Sequence, residues 1–352
     1  MHLHDLWFFV IAFLWTGYFF LEGFDFGIGI LSRVLARGET ERRVLINTIG
    51  PVWDGNEVWL VTAAGATFAA FPDWYATMFS GFYLPMFVIL LCLILRGVAF
   101  EYRVKRDGAA WKRNWEAIIF GTSLILSFIW GLLFAAMLHG LPITADHEYH
   151  GGITELIRPY SLLGGVTTTV LFTFHGAVFA SLKTVGSIRP RARHLAQKLG
   201  ILTVLLLLAF LTWTQFLTGN LGSVIAEAVA VLAVLLSLGF NFGQREGRAF
   251  ISSGLGVAAS SAVLFLALFP QVMPSSLNPA WSLTESNAAA GSYTLGIITW
   301  VAVFATPLIL LYQGWTYWVF RKRIGVQHIP VSHSHGHGHG HGDHRARYTV
   351  AR

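Results

Sequence analysis

Apolar runs of about 20 residues recur along the whole chain, and no other feature limits its fold so severely. Each is long enough to cross the ~30 Å hydrocarbon layer of a bilayer as a helix. Nine such runs lie at residues 7–31, 51–71, 79–101, 117–139, 160–182, 199–217, 223–240, 251–273 and 292–319. The 352 residues are 55% hydrophobic and 12% charged, whereas a soluble domain is about a quarter charged. The expected fold is an all-α integral membrane protein with nine transmembrane helices over residues 1–320. A basic, His-rich tail over 321–352 is low in complexity and expected to be disordered. No basic segment precedes the first run and no small-residue cleavage site follows it, so it reads as a retained helix and not a signal peptide. Cys92 is the only cysteine, so no internal disulfide can form.

The formal charge of +6 raises the question of an anionic partner, and its distribution answers it. Alternate loops carry the Lys and Arg: four in 32–50, five in 102–116, five in 183–198, two in 241–250 and six after 320, which makes 22 of 24. The exceptions are Arg96, inside a span, and Arg158; the loops at 72–78, 218–222 and 274–291 have none. By the positive-inside rule the N-terminus is expected outside and the C-terminus in the cytoplasm. The basic excess is thus a topology signal, and nucleic acid is not an expected partner.

Within this apolar background the sequence "LEGFDFGIG" places Glu22 and Asp25 well inside the first run. A carboxylate at the centre of a membrane helix costs at least ~2.5–3.5 kcal/mol. The two lie three residues apart, on nearly one helix face. The second span opens "GPVWDGNEVWL", with Asp54 and Glu57 again three apart near its cytoplasmic start, and the third returns with Arg96 about five residues before its cytoplasmic end and Glu101 at the boundary. Placement of three helices thus brings these groups to one depth. A proton or cation path from the cytoplasm through Glu22, Asp25, Asp54 and Glu57 is the functional reading, with Arg96, Glu101, Trp53 and Asn56 as ion-pair or supporting groups. Two bland readings stand beside it. Asp54 suits a helix N-terminus, where the dipole favours an acid, and Glu22 and Asp25 could pair with Arg96 as structural glue. Gly23 and Gly27 form a small-xxx-small pair that allows close helix approach.

The chain is poor in redox ligands. It has no Cys-x-x-Cys-His, and outside the tail only His175 sits deep in a span, where a satisfied core histidine is the commoner outcome than a haem ligand. In the tail, the alternating His333, His335, His337, His339 and His341 are weak candidates for a divalent metal.

The motifs "GFDFGIG" (23–29), "TERRVLINTIGPVWDGNEVWL" (40–60), "FSGFYLPM" (79–86) and "FEYR" (100–103) together resemble subunit II of the cytochrome bd-type quinol oxidases. The likeness is clearest over residues 16–116. Glu22 stands where many relatives have Asp, which keeps the charge on a longer side chain. The resemblance implies two four-helix bundles plus one extra helix in a bacterial cell membrane. It implies an accessory, non-haem-ligating subunit of an electrogenic oxidoreductase of the aerobic respiratory chain, not catalytic alone. The partner, subunit I, would carry haem b and haem d, oxidise quinol and reduce oxygen to water. Glu22, Asp25 and Asp54 would be the matching members of a cytoplasmic proton path. A small single-helix subunit, membrane lipid and a quinone bound in this chain are further implied partners that the sequence does not locate. The rival is a proton- or cation-coupled secondary transporter using the same carboxylates. Against it, no pair of interrupted helices recurs at matched positions. A purely structural scaffold is the third reading.

Overall fold

The computed structural model describes residues 2–329. Among them the chain forms eleven α-helices: α1 (Leu3–Val34), α2 (Glu39–Ile49), α3 (Trp53–Ala70), α4 (Pro72–Gly81), α5 (Tyr83–Tyr102), α6 (Ala109–His139), α7 (Pro159–Lys183), α8 (Ile188–Thr218), α9 (Leu221–Phe242), α10 (Glu246–Leu268) and α11 (Ser292–Val319). Eight of these, all but α2, α3 and α4, are long and apolar enough to cross a membrane. The ninth expected span, 51–71, corresponds to α3. Its 18 residues reach about 27 Å, but Asp54, Asn56 and Glu57 in its first two turns lower its hydropathy. The segment expected as a single span over 79–101 divides at Phe82, where α4 ends and α5 begins.

α6 and α8 run well past their apolar cores. The turns at Ala109–Arg113 and Ile188–Lys198 carry Lys112, Arg113, Arg189, Arg191, Arg193 and Lys198, so these helices project beyond the hydrocarbon at the basic end. Elsewhere boundaries follow local chemistry. Pro72 and Pro159 occupy first turns, where a missing N–H costs nothing. Gly140 ends α6 at φ +87, in the left-handed region that glycine enters freely. At α9, Asn220 Oδ1 accepts the Ser223 N–H at 3.0 Å while Ser223 Oγ accepts the Asn220 N–H at 2.9 Å, a reciprocal cap.

Packing sorts the long helices into two groups, α1, α3, α5 and α6 on one side and α7 to α10 on the other, joined where α7 packs on α1 and α6. Glycine makes that joint close. A Cβ on Gly176 would lie 2.6 Å from Gly27 Cα, and one on Gly23 would lie 2.8 Å from the Phe172 ring. α11 lies outside both groups, against α3 and α1. Only 6% of its apolar stretch is buried, against 56% for α1.

At the end opposite the basic loops, the loops at 140–158 and 269–291 form one cap. Leu141 N–H donates to Pro274 O at 2.9 Å, Ser275 Oγ donates to Ile143 O at 2.7 Å, and two short strands, β1 (Gln271–Met273) and β2 (Leu283–Thr284), pair antiparallel. At the basic end, ion pairs hold α2 under the bundle. Glu116, buried on α6, takes Arg103 and Arg42, each at 2.7 Å, and Arg103 also reaches Glu39 at 2.8 Å. Residues 321–329, read from sequence as the start of a disordered tail, are ordered. Ile324 N–H donates to Lys183 O and Val185 N–H to Ile324 O, which fixes the segment to the end of α7.

Candidate functional site

A 32-residue helix of mostly large apolar side chains would be expected to present an apolar stripe to its neighbours throughout. Between Leu21 and Ser32, α1 is instead buried on all sides, and that stretch contains Glu22 and Asp25, both fully buried. Burial of this kind needs compensation from neighbouring helices. α5 supplies it through Arg96, also fully buried, whose Nη1 lies 3.2 Å from Glu22 Oε2 and donates to Glu57 Oε1 on α3 at 2.8 Å. The guanidinium is further flanked by the Phe26 and Phe100 rings, 4.9 and 5.1 Å away, a contact in which ring faces attract a cation.

Asp25 is held differently. Asn56 Nδ2 on α3 donates to Asp25 Oδ2 at 2.7 Å, and Asn56 Oδ1 accepts from Gln313 Nε2 at 3.0 Å and from the Tyr317 hydroxyl at 2.8 Å. With Gln313 and the Tyr317 hydroxyl donating to its Oδ1, Asn56 turns its NH2 toward Asp25. In this arrangement Asp25 Oδ2 accepts, which leaves Oδ1 as the oxygen open to a proton. Among the described residues that oxygen has no hydrogen-bond partner, nor do Arg96 Nε and Nη2 or the Glu22 oxygens beyond the ion pair. Two carboxylates thus share one guanidinium, with a third, Asp25, buried beside them on Asn56. If all three ionise, the set carries two negative charges that Arg96 does not compensate, a costly state for a buried site.

The structure brings together Glu22, Asp25, Asn56, Glu57 and Arg96, and leaves three expected members apart. Asp54 is exposed on the first turn of α3 and makes no hydrogen bond or ion pair among the described residues. At about 100° per residue, Asp54 lies about 160° around α3 from the buried Asn56 and faces outward, while Glu57, between the two directions and half-buried, still reaches Arg96. Trp53 packs beside Phe100, ring centroids 5.1 Å apart, and touches no carboxylate. Glu101 is exposed without an ion pair. The carboxylate that pairs with Arg103 beside it is Glu116, not Glu101. Gln313 and Tyr317 were not singled out from sequence, because a Gln and a Tyr near the end of a span also suit an interfacial belt. Their spacing of four on one helix face was the only available signal.

His175 does not fit a haem. Nε2 lies 3.3 Å from the Phe20 carbonyl, so it carries the proton, and Nδ1 lies 2.8 Å from Ser253 Oγ. Its ring stacks on Phe250 with centroids 4.9 Å apart. Both ring nitrogens are engaged in a packed aromatic cluster, with no room for a porphyrin. The tail residues His333, His335, His337, His339 and His341 lie outside the described residues.

Beyond the cluster, residues of α3, α4 and α5 line a cleft of about 700 Å³, among them Leu60, Val61, Phe68, Tyr83, Phe87 and Leu90. With the bare faces of α5 and α11, it makes one side of the molecule broadly apolar and unpartnered.

Fold and site together define a multi-pass membrane protein with a buried carboxylate–guanidinium cluster close to an open face. Comparison with known proteins gives the family. The model for cytochrome bd terminal oxidase subunit II matches residues 3–320. The chain is 46% identical over 328 residues to cytochrome bd ubiquinol oxidase subunit 2 of Bacillus subtilis (strain 168), covering 92% of this chain and 97% of that protein. To cytochrome bd-I ubiquinol oxidase subunit 2 of Escherichia coli (strain K12) it is 34% identical over 365 residues, covering 93% and 96%. A solved bd oxidase chain from Geobacillus thermodenitrificans shares the fold, with a TM-score of 0.74 at 18% identity, covering 92% of this chain and 100% of that one. The chain belongs to the cytochrome bd oxidase subunit II family. It is accordingly a multi-pass protein of the bacterial cell membrane and a member of a haem-dependent oxidoreductase complex of the respiratory chain that includes a partner subunit I. The transporter reading draws no support from these likenesses.

Proposed function

We propose that the chain is the haem-free partner of subunit I in a quinol:oxygen oxidoreductase, that it stabilises that subunit, and that its buried cluster carries protons from the cytoplasm toward the oxygen-reducing centre. The observation that carries this is the cluster itself: Glu22 and Glu57 share the Arg96 guanidinium, Asp25 lies beside them on Asn56, and unpartnered polar atoms remain among them. A structural ion pair would be closed; this one is left with atoms that can receive and release a proton. Glu57, partly exposed, and Asp54, exposed one turn nearer the basic end, make the mouth of the path. Glu22 and Asp25 make its interior, and Arg96 keeps the negative charge tolerable.

The same reading takes α3 as the ninth membrane span, its polar start covered by subunit I, with the N-terminus outside and the basic loops in the cytoplasm. The open face of α3, α5 and α11 is the surface on which subunit I docks, since wide apolar exposure of this kind is buried either by lipid or by a partner. A haem held only by subunit I is consistent with the engaged nitrogens of His175. The experiment is a reduced-minus-oxidised optical spectrum of the purified complex beside the chain expressed alone. Haem b and d bands confined to the complex are expected. Haem bands in the lone chain would overturn the assignment of all haem to the partner.

A further inference from the structure

We infer that Arg189, Arg193 and Arg323, gathered around Glu246, form a binding site for the phosphate of an anionic phospholipid headgroup. Arg189 and Arg193 are four apart on one face of α8. Both reach the same oxygen of Glu246, Arg189 through Nη2 at 2.7 Å and Nε at 2.9 Å and Arg193 through Nη2 at 2.6 Å. Arg323 approaches the other oxygen at 3.7 Å, held there by the pairing of Ile324 with the end of α7. Three guanidiniums thus converge on one carboxylate, which leaves two positive charges without a counter-charge. The Nε of Arg193 is shielded from solvent and has no partner. A second anion with several acceptor oxygens matches that surplus of charge and donors, and guanidinium forks suit phosphate.

The surroundings favour a lipid source over free phosphate. A polar recess of about 550 Å³ opens at Arg245, Glu246, Gly247 and Arg248, at the N-terminus of α10, whose dipole adds positive potential. Gly247, Ile251 and Leu255 follow one another at intervals of four along α10, and Ile251 and Leu255 are exposed. Glu246 belongs to both the recess and the arginine cluster, so a headgroup seated against Arg245 and Arg248 meets the cluster's surplus charge across Glu246, with its acyl chain along that stripe. Basic pockets between membrane helices at a water boundary select anionic headgroups in this way. The site requires only that this end of the bundle meets a membrane surface, and is independent of the proton path.

Native mass spectrometry of the purified, delipidated complex tests it, with titration by phosphatidylglycerol, phosphatidylcholine and inorganic phosphate. Phosphatidylglycerol is expected to be retained at least about tenfold more tightly than phosphatidylcholine, and Arg323→Gln and Arg193→Gln are each expected to weaken it about fivefold. Arg323→Gln removes the most distant of the three pairs and leaves the fold least disturbed. Equal retention of the two lipids, or an unchanged preference in both variants, would overturn the site. Displacement by millimolar phosphate would overturn its assignment to lipid.

Discussion

Replacing Arg96 by Gln is the sharpest perturbation of the cluster. With charges 2.8 Å and 3.2 Å apart, the two ion pairs are worth about 6 and 5 kcal/mol at an effective dielectric of ~20. Desolvation of each buried ion, several kcal/mol apiece, offsets most of that. What remains decisive is asymmetry. Removing one partner leaves uncompensated buried charge and costs about 3–5 kcal/mol, whereas neutralising the whole set is close to neutral. Arg96→Gln alone is therefore expected to lower the complex's stability to thermal unfolding by about 3–5 kcal/mol, and adding Glu22→Gln and Glu57→Gln is expected to restore most of it. Unfolding midpoints of the single and triple variants, with haem absorbance as the probe of assembly, supply the comparison. A triple variant no more stable than the single one would refute the claim that Arg96 acts as counter-charge to those two carboxylates.

Three smaller perturbations test other joints. Gly27→Ala pushes a methyl into the α1–α7 contact and is expected to destabilise by about 1–3 kcal/mol, read as a lower unfolding midpoint; an unchanged midpoint would mean the helices part freely. Tyr317→Phe leaves Gln313 on Asn56, so it should slow quinol oxidation less than Asn56→Leu, which severs every bond of the hub; the reverse order in turnover assays would count against Asn56 as organiser. Burial raises the Glu41 carboxyl, but the Arg191 side chain at 2.6 Å, the Arg37 N–H and the Ser187 hydroxyl bring it down to about 2, below its usual 4.5. Its contribution to docking α2 is then complete above about pH 4.5 and fades as pH falls toward about 2. The stability gap between the wild-type chain and Glu41→Gln should narrow over that window, and a gap independent of pH would exclude the carboxylate as its source.

Charge in an apolar run is the loudest signal a membrane sequence carries, which is why Glu22, Asp25, Glu57 and Arg96 could be read as one group as soon as the first three spans were placed. The long spans were legible for the same reason. The helix α3 was legible only by allowing for its polar first turns, and the break at Phe82 was hidden because the aromatic and apolar run Phe82-Tyr83-Leu84 continues across it. Asp54 misled because a spacing of three from Glu57 suggests a shared face, while the inward direction on α3 is set by Asn56. Gln313 and Tyr317 were illegible because neutral polar groups cost little at a span's end, and only the position of α11 against α3 gives them a partner. Glu116 is similar. Its pairing with Arg103 and Arg42 ties α2 to the adjoining ends of α5 and α6, a contact that sequence order does not announce.

The proton path is tested most directly by the turnover of the complex carrying Asp25→Asn, measured with excess quinol and normalised to haem content. The substitution keeps the side-chain shape and the hydrogen bond from Asn56 within reach but removes the titratable oxygen. Oxygen consumption is expected to fall on the order of tenfold or more while the haem spectrum is unchanged. Full turnover with intact haem would contradict the path, and Asp25 would then be a structural partner of Asn56.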